Sequence, residues 1–450
     1  MSTVIASSGP VVLTAPGRIP GLGHALPLLR DPLGFLASLS GLGGVVRIRL
    51  GVRPVYVVTD PALVHSLLVT HAYACPRGSV HETLKGAFGD GLLMTDGTLH
   101  RFRRRAVQPV FAPGRIARYV PVMRDAVRER IDRWRPGRVL DVSVETHHLA
   151  LEIVTSVLFG TRLADETAAA FQRALPEVVK GQIVHSLYPW PVLARLPLPV
   201  NRRFAGAVRV LNEVVDQVVR DHEPGRDTLL SVLRATVDPE TQEVLRERDV
   251  RSEVVTMLGA GTETVSTTLA WLFHELLEHP HIHARVLAEV DEHLADGEEF
   301  GMDAVERLTY TRRVIHEVLR LHTPNAFLTR VATRPVRLGG YRVPAGAELL
   351  YSLTALHRDP ARYPDPLRFD PDRRRPGSDA DGPSRHSYLP FGAGKHKCVG
   401  DTLALAELVV AVATVLRRWQ LIRVPGTRAR EVVWTTVQAQ GLHVTVAPRR

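Results

Sequence analysis

Residues 391–400 read Phe-Gly-Ala-Gly-Lys-His-Lys-Cys-Val-Gly and lead into an apolar helical run from Asp401. A cysteine placed just before a helix meets unpaired N–H groups and the positive end of the helix dipole, both of which favour a thiolate. Gly394 permits a sharp turn, and Gly400 lets backbone N–H groups approach the sulfur without a Cβ in the way. Phe391 can cover one side of a ligand. A lone cysteine at a helix start is more often a buried structural residue than a ligand. The ordered spacing Phe-x-x-Gly-x-x-x-Cys-x-Gly argues otherwise: with 12 Phe, 34 Gly and 2 Cys in 450 residues it is expected by chance far less than once. Cys398 is therefore the candidate thiolate ligand of a metal.

The rest of the chain must be compatible with such a centre. Its 450 residues exceed the roughly 250–300 that one apolar core usually serves, so it forms two domains or one large domain completed by a bulky cofactor. Only Cys75 and Cys398 are present, which excludes a disulfide framework. No basic-then-apolar leader opens the sequence, and no stretch reaches the roughly 20 apolar residues of a membrane span. The best candidate, Leu403 to Leu416, contains Glu407. These features predict a cytoplasmic protein with no membrane partner. The formal charge of +10 does not indicate nucleic acid, because 53 of the 57 basic residues are arginines scattered among acids, as in Arg124 to Arg135, with no basic stripe interleaved with aromatics.

Residues 1–30 form a Pro/Gly-rich lead-in. Val45 to Leu50 and Val55 to Val58 predict two short strands about a Gly51 turn. From Asp60-Pro61 onward apolar residues recur at helical spacing, over 141–160, 202–220, 250–278, 281–295, 304–322 and 401–419. Strand-like pieces return at 336–352 and 431–447, and 359–390 reads as a long loop. The fold class is mainly α with minor β.

One helix stands out. Residues 259–264 read Gly-Ala-Gly-Thr-Glu-Thr inside an apolar run from Val250 to Leu277. Each glycine in a helix interior costs on the order of 1 kcal/mol relative to Ala. Either a neighbouring helix or a flat cofactor and small ligand must approach closely at Gly259, Ala260 and Gly261. Thr264 can turn its hydroxyl onto the Ala260 carbonyl, and Glu263 places a titratable group beside it.

The cysteine loop is the signature of the cytochrome P-450 family, and the chain resembles that family over nearly its whole length. Gly259 to Thr264 matches the family's distal-helix motif. Glu317-Val-Leu-Arg320 matches its Glu-x-x-Arg pair, whose side chains lie one turn apart on one face. An identical Glu243-Val-Leu-Arg246 occurs earlier, so order along the chain selects the later copy, which precedes Pro366-Leu-Arg368-Phe369. The resemblance implies one catalytic domain over residues 1–450 with the family's triangular helical prism. Haem would lie between the distal helix and the cysteine loop with its following helix. It implies haem b held through its iron by Cys398, with Phe391, Gly394, Gly400, Ala260 and Gly261 around it. His100, Arg104, Arg330 and His396 stand at propionate positions, although Arg103 and Arg105 compete with Arg104. Glu317, Arg320 and Arg368 inherit a structural role, and Glu263 and Thr264 inherit proton delivery for dioxygen activation.

The same resemblance implies a monooxygenase that uses O2 and electrons originating from NAD(P)H. With no flavin or iron–sulfur motif in the chain, the electrons would arrive through a separate ferredoxin or flavodoxin and its reductase. Lys395 and Lys397 either attract that acidic partner or are simply solvated. A monomer is expected. Substrate segments fall, by family analogy, at 78–95, 180–198, Val255–Leu258–Gly259, Pro324 to Leu328 and Thr435 to Val437. They carry Leu92, Leu93, Phe327, Leu328 and Val437, an apolar set suited to a hydrocarbon-like small molecule. Asp31-Pro-Leu-Gly-Phe35, Asp96-Gly-x-x-His100-Arg101, Leu196-Pro-Leu-Pro199 and Asn201-Arg-Arg-Phe204 resemble bacterial terpene hydroxylases of the pentalenene and epi-isozizaene type, which implies a sesquiterpene-like substrate in secondary metabolism. Fatty acids, polyketides and aromatic natural products remain alternatives, as do a haem-thiolate isomerase or dehydratase that needs no O2 and a haem-binding sensor. The acid–alcohol pair Glu263–Thr264 disfavours both of the last two.

Overall fold

Asp60 and Pro61 show how local chemistry sets the elements. The Asp60 carboxylate accepts from the N–H groups of Ala62 (2.8 Å) and Leu63 (3.1 Å), and Pro61 opens the helix Pro61–Leu68 with its φ already set. Asp141 caps the helix Val142–Val154 in the same way through Ser143 N–H, at 2.9 Å. Gly51, at φ +59°, makes the tight turn between the first two long strands, a conformation a side chain would strain.

The computed structural model describes residues 9–187, 196–222, 227–237, 242, 244–294, 300–374, 386–433 and 436–449. The chain folds as two units. The first comprises Met1–Glu82, Asn325–Arg368 and Asp379–Cys398. Its centre is a five-stranded sheet built from β1 (Leu13–Thr14), β2 (Val45–Leu50), β3 (Arg53–Val58), β5 (Leu328–Val331) and β8 (Glu348–Tyr351), in the order β1-β2-β3-β8-β5. Here β2 and β3 run antiparallel, with Val46 opposite Val57, while β3 and β8 run parallel. Alternate residues bury opposite faces: Val45, Tyr56, Val58 and Leu349 enter one core, Val46, Val55, Val57 and Leu350 the other. A hairpin of β6 (Val336–Leu338) and β7 (Tyr341–Val343) completes this unit's strands among the described residues.

The second unit comprises Thr83–Pro324, Phe369–Ser378 and Val399–Arg450. It is mainly helical. A short sheet joins β4 (Val139–Asp141), β12 (His443–Pro448) and β9 (Trp419–Arg423), and a hairpin pairs β10 (Arg430–Val433) with β11 (Val437–Gln440). Its central element is the 32-residue helix Glu247–Glu278, buried along most of its length. Glu247 and Asp249 sit in its first turn, where acids complement the helix dipole.

The mainly helical class with minor sheet stands. The expected helices recur with shifted ends. The stretch 141–160 divides into β4, the helix Val142–Val154 and a π turn at Thr155–Phe159, while 304–322 divides into Met302–Arg307 and Thr309–Leu321. No helix among the described residues is long and apolar enough to cross a membrane.

Candidate active site

In the first unit, the cysteine loop is closed by its own backbone. The N–H of Cys398 donates to the Phe391 carbonyl (2.9 Å), and that of Lys397 donates to the Gly394 carbonyl (3.1 Å). Gly394 has φ +67°, and a Cβ there would stand 2.1 Å from the Leu68 carbonyl oxygen. The turn needs glycine twice over, for its backbone and for its space. Phe391 and His396 are half-buried, and Cys398 is exposed. Cys75, by contrast, is fully buried, and burial pushes its thiol up to about 11, against the pull of Arg330 and Arg334. Of the two cysteines, only Cys398 is open to a ligand. Arg330, on β5, is buried, donates to the Thr329 carbonyl (2.9 Å) and lies over the Tyr351 ring at 5.7 Å. Phe327 and Leu328 beside it are half-buried. The Lys395 ammonium stands 4.7 Å from the centroid of the exposed Tyr73 ring, and Lys397 is exposed.

In the second unit, Ala260 is exposed in the middle of the otherwise buried long helix, with Gly261, Glu263 and Thr264 half-buried beside it. The Thr264 hydroxyl donates to the Ala260 carbonyl at 2.8 Å. The two glycines part company. Gly261 was expected against the cofactor, but its missing Cβ would lie 3.1 Å from Val154. Gly259 faces Phe88, at 3.4 Å. Val255, Leu258 and Val437 are buried, and Leu92 is buried while Leu93 is exposed. Thr435 and residues 188–195 of the expected substrate segments lie outside the described residues.

Glu263 is held from the side. Its Oε1 accepts from Thr436 Oγ1 (2.9 Å) and from Gln438 Nε2 (2.7 Å). The sequence reading missed both donors. They flank Val437, and period-2 alternation about that residue was the available signal.

The helix Gly97–Val107 carries His100, buried, and three consecutive arginines of different fates. Arg103 is buried and committed to Asp249 (2.9 Å) and Glu253 (3.6 Å). Arg105 is exposed and Arg104 half-buried. The carboxylate of Glu253 also accepts from Leu92 N–H (3.1 Å). Burial pushes its carboxyl up to about 7, outweighing both that N–H and Arg103, whose closer partner is Asp249.

Glu317 and Arg320 form a bidentate pair, and Glu317 Oε1 further accepts from Asp370 N–H (3.1 Å) and lies 3.4 Å from Arg373 Nε. Arg373 is thus a partner of Glu317 that motif spacing did not single out. Arg368 belongs to the first unit and is exposed there. The Gly400 Cβ position lies 3.3 Å from the Phe111 ring.

These features fit the haem that the sequence resemblance implies. In the first unit a thiol is exposed on a glycine-shaped loop, in the second Ala260 is exposed on a largely buried helix, and basic side chains sit in partly or fully buried places.

Comparison with known proteins is consistent with that fit. The family model described as Cytochrome P-450 matches residues 15–438. Cyclooctat-9-en-7-ol 5-monooxygenase of Streptomyces melanosporofaciens is 41% identical, over 92% of this chain and 90% of that protein. Cyclooctatin synthase of the same organism is 40% identical, over 97% and 95%. Pentalenene oxygenase of Streptomyces avermitilis is 34% identical, over 94% of each. Among solved structures, the cytochrome P-450DA haem domain superposes with a TM-score of 0.84 at 25% identity, covering 98% of each chain.

Proposed function

The chain belongs to the cytochrome P-450 family and is a monooxygenase, and on that premise we propose that it hydroxylates an alicyclic terpene or terpene alcohol. The observation that carries the substrate class is the 40–41% identity, over more than nine-tenths of the chain, to two relatives named for cyclooctatin chemistry. Pentalenene oxygenase, at 34% identity, supports it. The apolar residues Val255, Leu258, Phe327, Leu328 and Val437 are the side chains assigned to the substrate.

Haem b, when bound, supplies an iron at which dioxygen is reduced, and a thiolate ligand favours cleavage of the O–O bond. Cys398 would hold the iron, and His100, Arg104, Arg330 and His396 would hold the propionates. The exposed surface at Ala260 would face the haem on the distal side. Thr264 keeps its hydroxyl on the helix through the Ala260 carbonyl, with lone pairs left to accept from water. Glu263 would hold the proton that this hydroxyl relays. Electrons would come from NAD(P)H through a ferredoxin or flavodoxin with its reductase, drawn to the face carrying Lys395 and Lys397.

The test has two stages. The reduced, carbon monoxide-bound spectrum of the purified protein should show the red-shifted Soret band of thiolate ligation, and Cys398→Ala should abolish it. The protein reconstituted with ferredoxin, reductase and NADPH should then place one atom of labelled dioxygen into pentalenene or cyclooctat-9-en-7-ol. An unshifted Soret band in folded protein overturns the ligand assignment. Turnover of fatty acids in preference to every terpene offered overturns the substrate class.

A further inference from the structure

Behind Glu263 lies a cavity of about 170 Å³, away from the helix surface that Ala260 exposes. Glu263, Ser266, Thr267 and Ala270 form one wall, at the i, i+3, i+4, i+7 spacing of a single helix face. Ala260 and Thr264 stand roughly a quarter-turn round from the middle of that face, at about 100° per residue. Glu263 lies near the middle of the cavity face and is next in sequence to Thr264, about 100° round the helix. His147, on the helix Val142–Val154, and Gln438 with Gln440, on β11, close the cavity opposite.

The lining is polar in an ordered way. Gln440, exposed, donates through Nε2 to Gln438 Oε1 (2.9 Å), and Gln438 donates in turn to Glu263 Oε1 (2.7 Å). The Thr436 hydroxyl, which donates to the same Glu263 Oε1, meets the Thr267 hydroxyl at 3.2 Å. The His147 ring is 95% buried, and its Nε2 has no hydrogen-bond partner among the described residues. Burial and the neighbouring His148 hold its pKa down to about 3, so the ring is neutral and can both accept and donate. A buried ring nitrogen without a protein partner, at a polar cavity, calls for water. The volume admits about five molecules at the liquid's ~30 Å³ each.

We propose that this cavity holds the water through which Glu263 is reprotonated from solvent, with Gln438 and His147 as positioning residues, the first holding the carboxylate and the second anchoring the water. The inference rests on the proton-delivery role proposed above for Glu263. Monooxygenation converts a C–H bond, dioxygen, two electrons from the redox partner and two protons into a C–OH bond and water. Each proton would pass from cavity water to the Glu263 carboxylate, neutralise it, and move on towards Thr264, restoring the carboxylate. The amides of Gln438 and Gln440 carry no proton themselves; they fix the acceptor's direction. The hydrogen-bonded strand also carries Val437, so substrate contact and acid position belong to one element.

A crystal structure of the haem-loaded protein supplies a readout independent of activity. It should show ordered water bridging His147 Nε2 and Glu263, retained in His147→Gln and lost in His147→Phe. In the reconstituted system, with cyclooctat-9-en-7-ol as probe, Gln438→Leu and His147→Phe should each raise the peroxide released per NADPH about tenfold and enlarge the solvent isotope effect, while His147→Gln stays near the parent. A dry cavity in the parent crystal overturns the inference. So does parental coupling in both Gln438→Leu and His147→Phe while Glu263→Gln loses coupling, a result that leaves the function standing. Parental coupling in Glu263→Gln overturns the acid's role and the inference together.

Discussion

Arg320 donates to Glu317 through Nε at 2.9 Å and through Nη2 at 2.7 Å, with each residue only 1% exposed. A fork–fork pair at that depth satisfies both charges at once. Removing Glu317 takes the fork partner from a buried guanidinium, and removing Arg320 leaves Glu317 only the longer contact with Arg373, each at a cost of about 3–5 kcal/mol. Glu317→Ala and Arg320→Leu should each lower the unfolding free energy by that amount, measured by urea titration. Arg320→Lys should not rescue, because an ammonium cannot reproduce the planar fork.

Glu253 should make stability depend on pH. Its carboxyl is pushed from 4.5 up to about 7 by burial, so the folded state holds a proton that the unfolded state releases earlier. The associated stability is fully present below about pH 4.5 and is lost as pH rises through about 7, on the order of 3 kcal/mol in total. Glu253→Gln keeps an acceptor for Leu92 N–H and should flatten this part of the profile. Urea titrations at several pH values across the window check it.

Glu407 is buried in the helix Asp401–Arg418, and its Oε1 has no hydrogen-bond partner among the described residues. Burial alone holds its carboxyl well above the usual range. Replacing it by Leu removes the desolvated group, so Glu407→Leu should stabilise the protein near neutral pH by roughly 1–3 kcal/mol. Thermal unfolding of the haem-loaded protein measures the gain.

Two glycines of the cysteine loop should differ in tolerance. Gly392 has φ +70° but open space at its Cβ position, whereas Gly394 combines φ +67° with a contact 2.1 Å from the Leu68 carbonyl oxygen. Gly392→Ala should cost only the backbone strain, about 1–2 kcal/mol, and retain the thiolate spectrum. Gly394→Ala should lose the thiolate spectrum in a large fraction of the protein, read as the ratio of the two Soret forms.

Several features were already legible along the chain. Phe391, Gly394 and Cys398 lie within a few residues of one another, and the Cys398 N–H closes onto Phe391 inside that stretch. Glu317 and Arg320 are one helical turn apart, and Thr264 reaches Ala260 by the i, i+4 relation that any helix provides. What spacing could not assign was the identity of neighbours. Arg103, Arg104 and Arg105 are equivalent as letters, and only the position of Asp249 and Glu253 commits Arg103 to burial. Along the chain Gly261 had two physical explanations, and only packing revealed how close Val154 stands to it.

By itself, then, the sequence determined the class of fold, the glycine-shaped turn that carries Cys398 and the one-turn relation of Thr264 to Ala260, because each depends on local periodicity or on residues whose separation is set by a turn or one helical repeat. Tertiary structure alone decided how those groups are used. Gln438 lies 175 residues from Glu263, yet it directs the carboxylate. His147 meets the same cavity from another helix. Such pairings are chosen by which faces bury apolar surface against each other, a property of the packed chain as a whole.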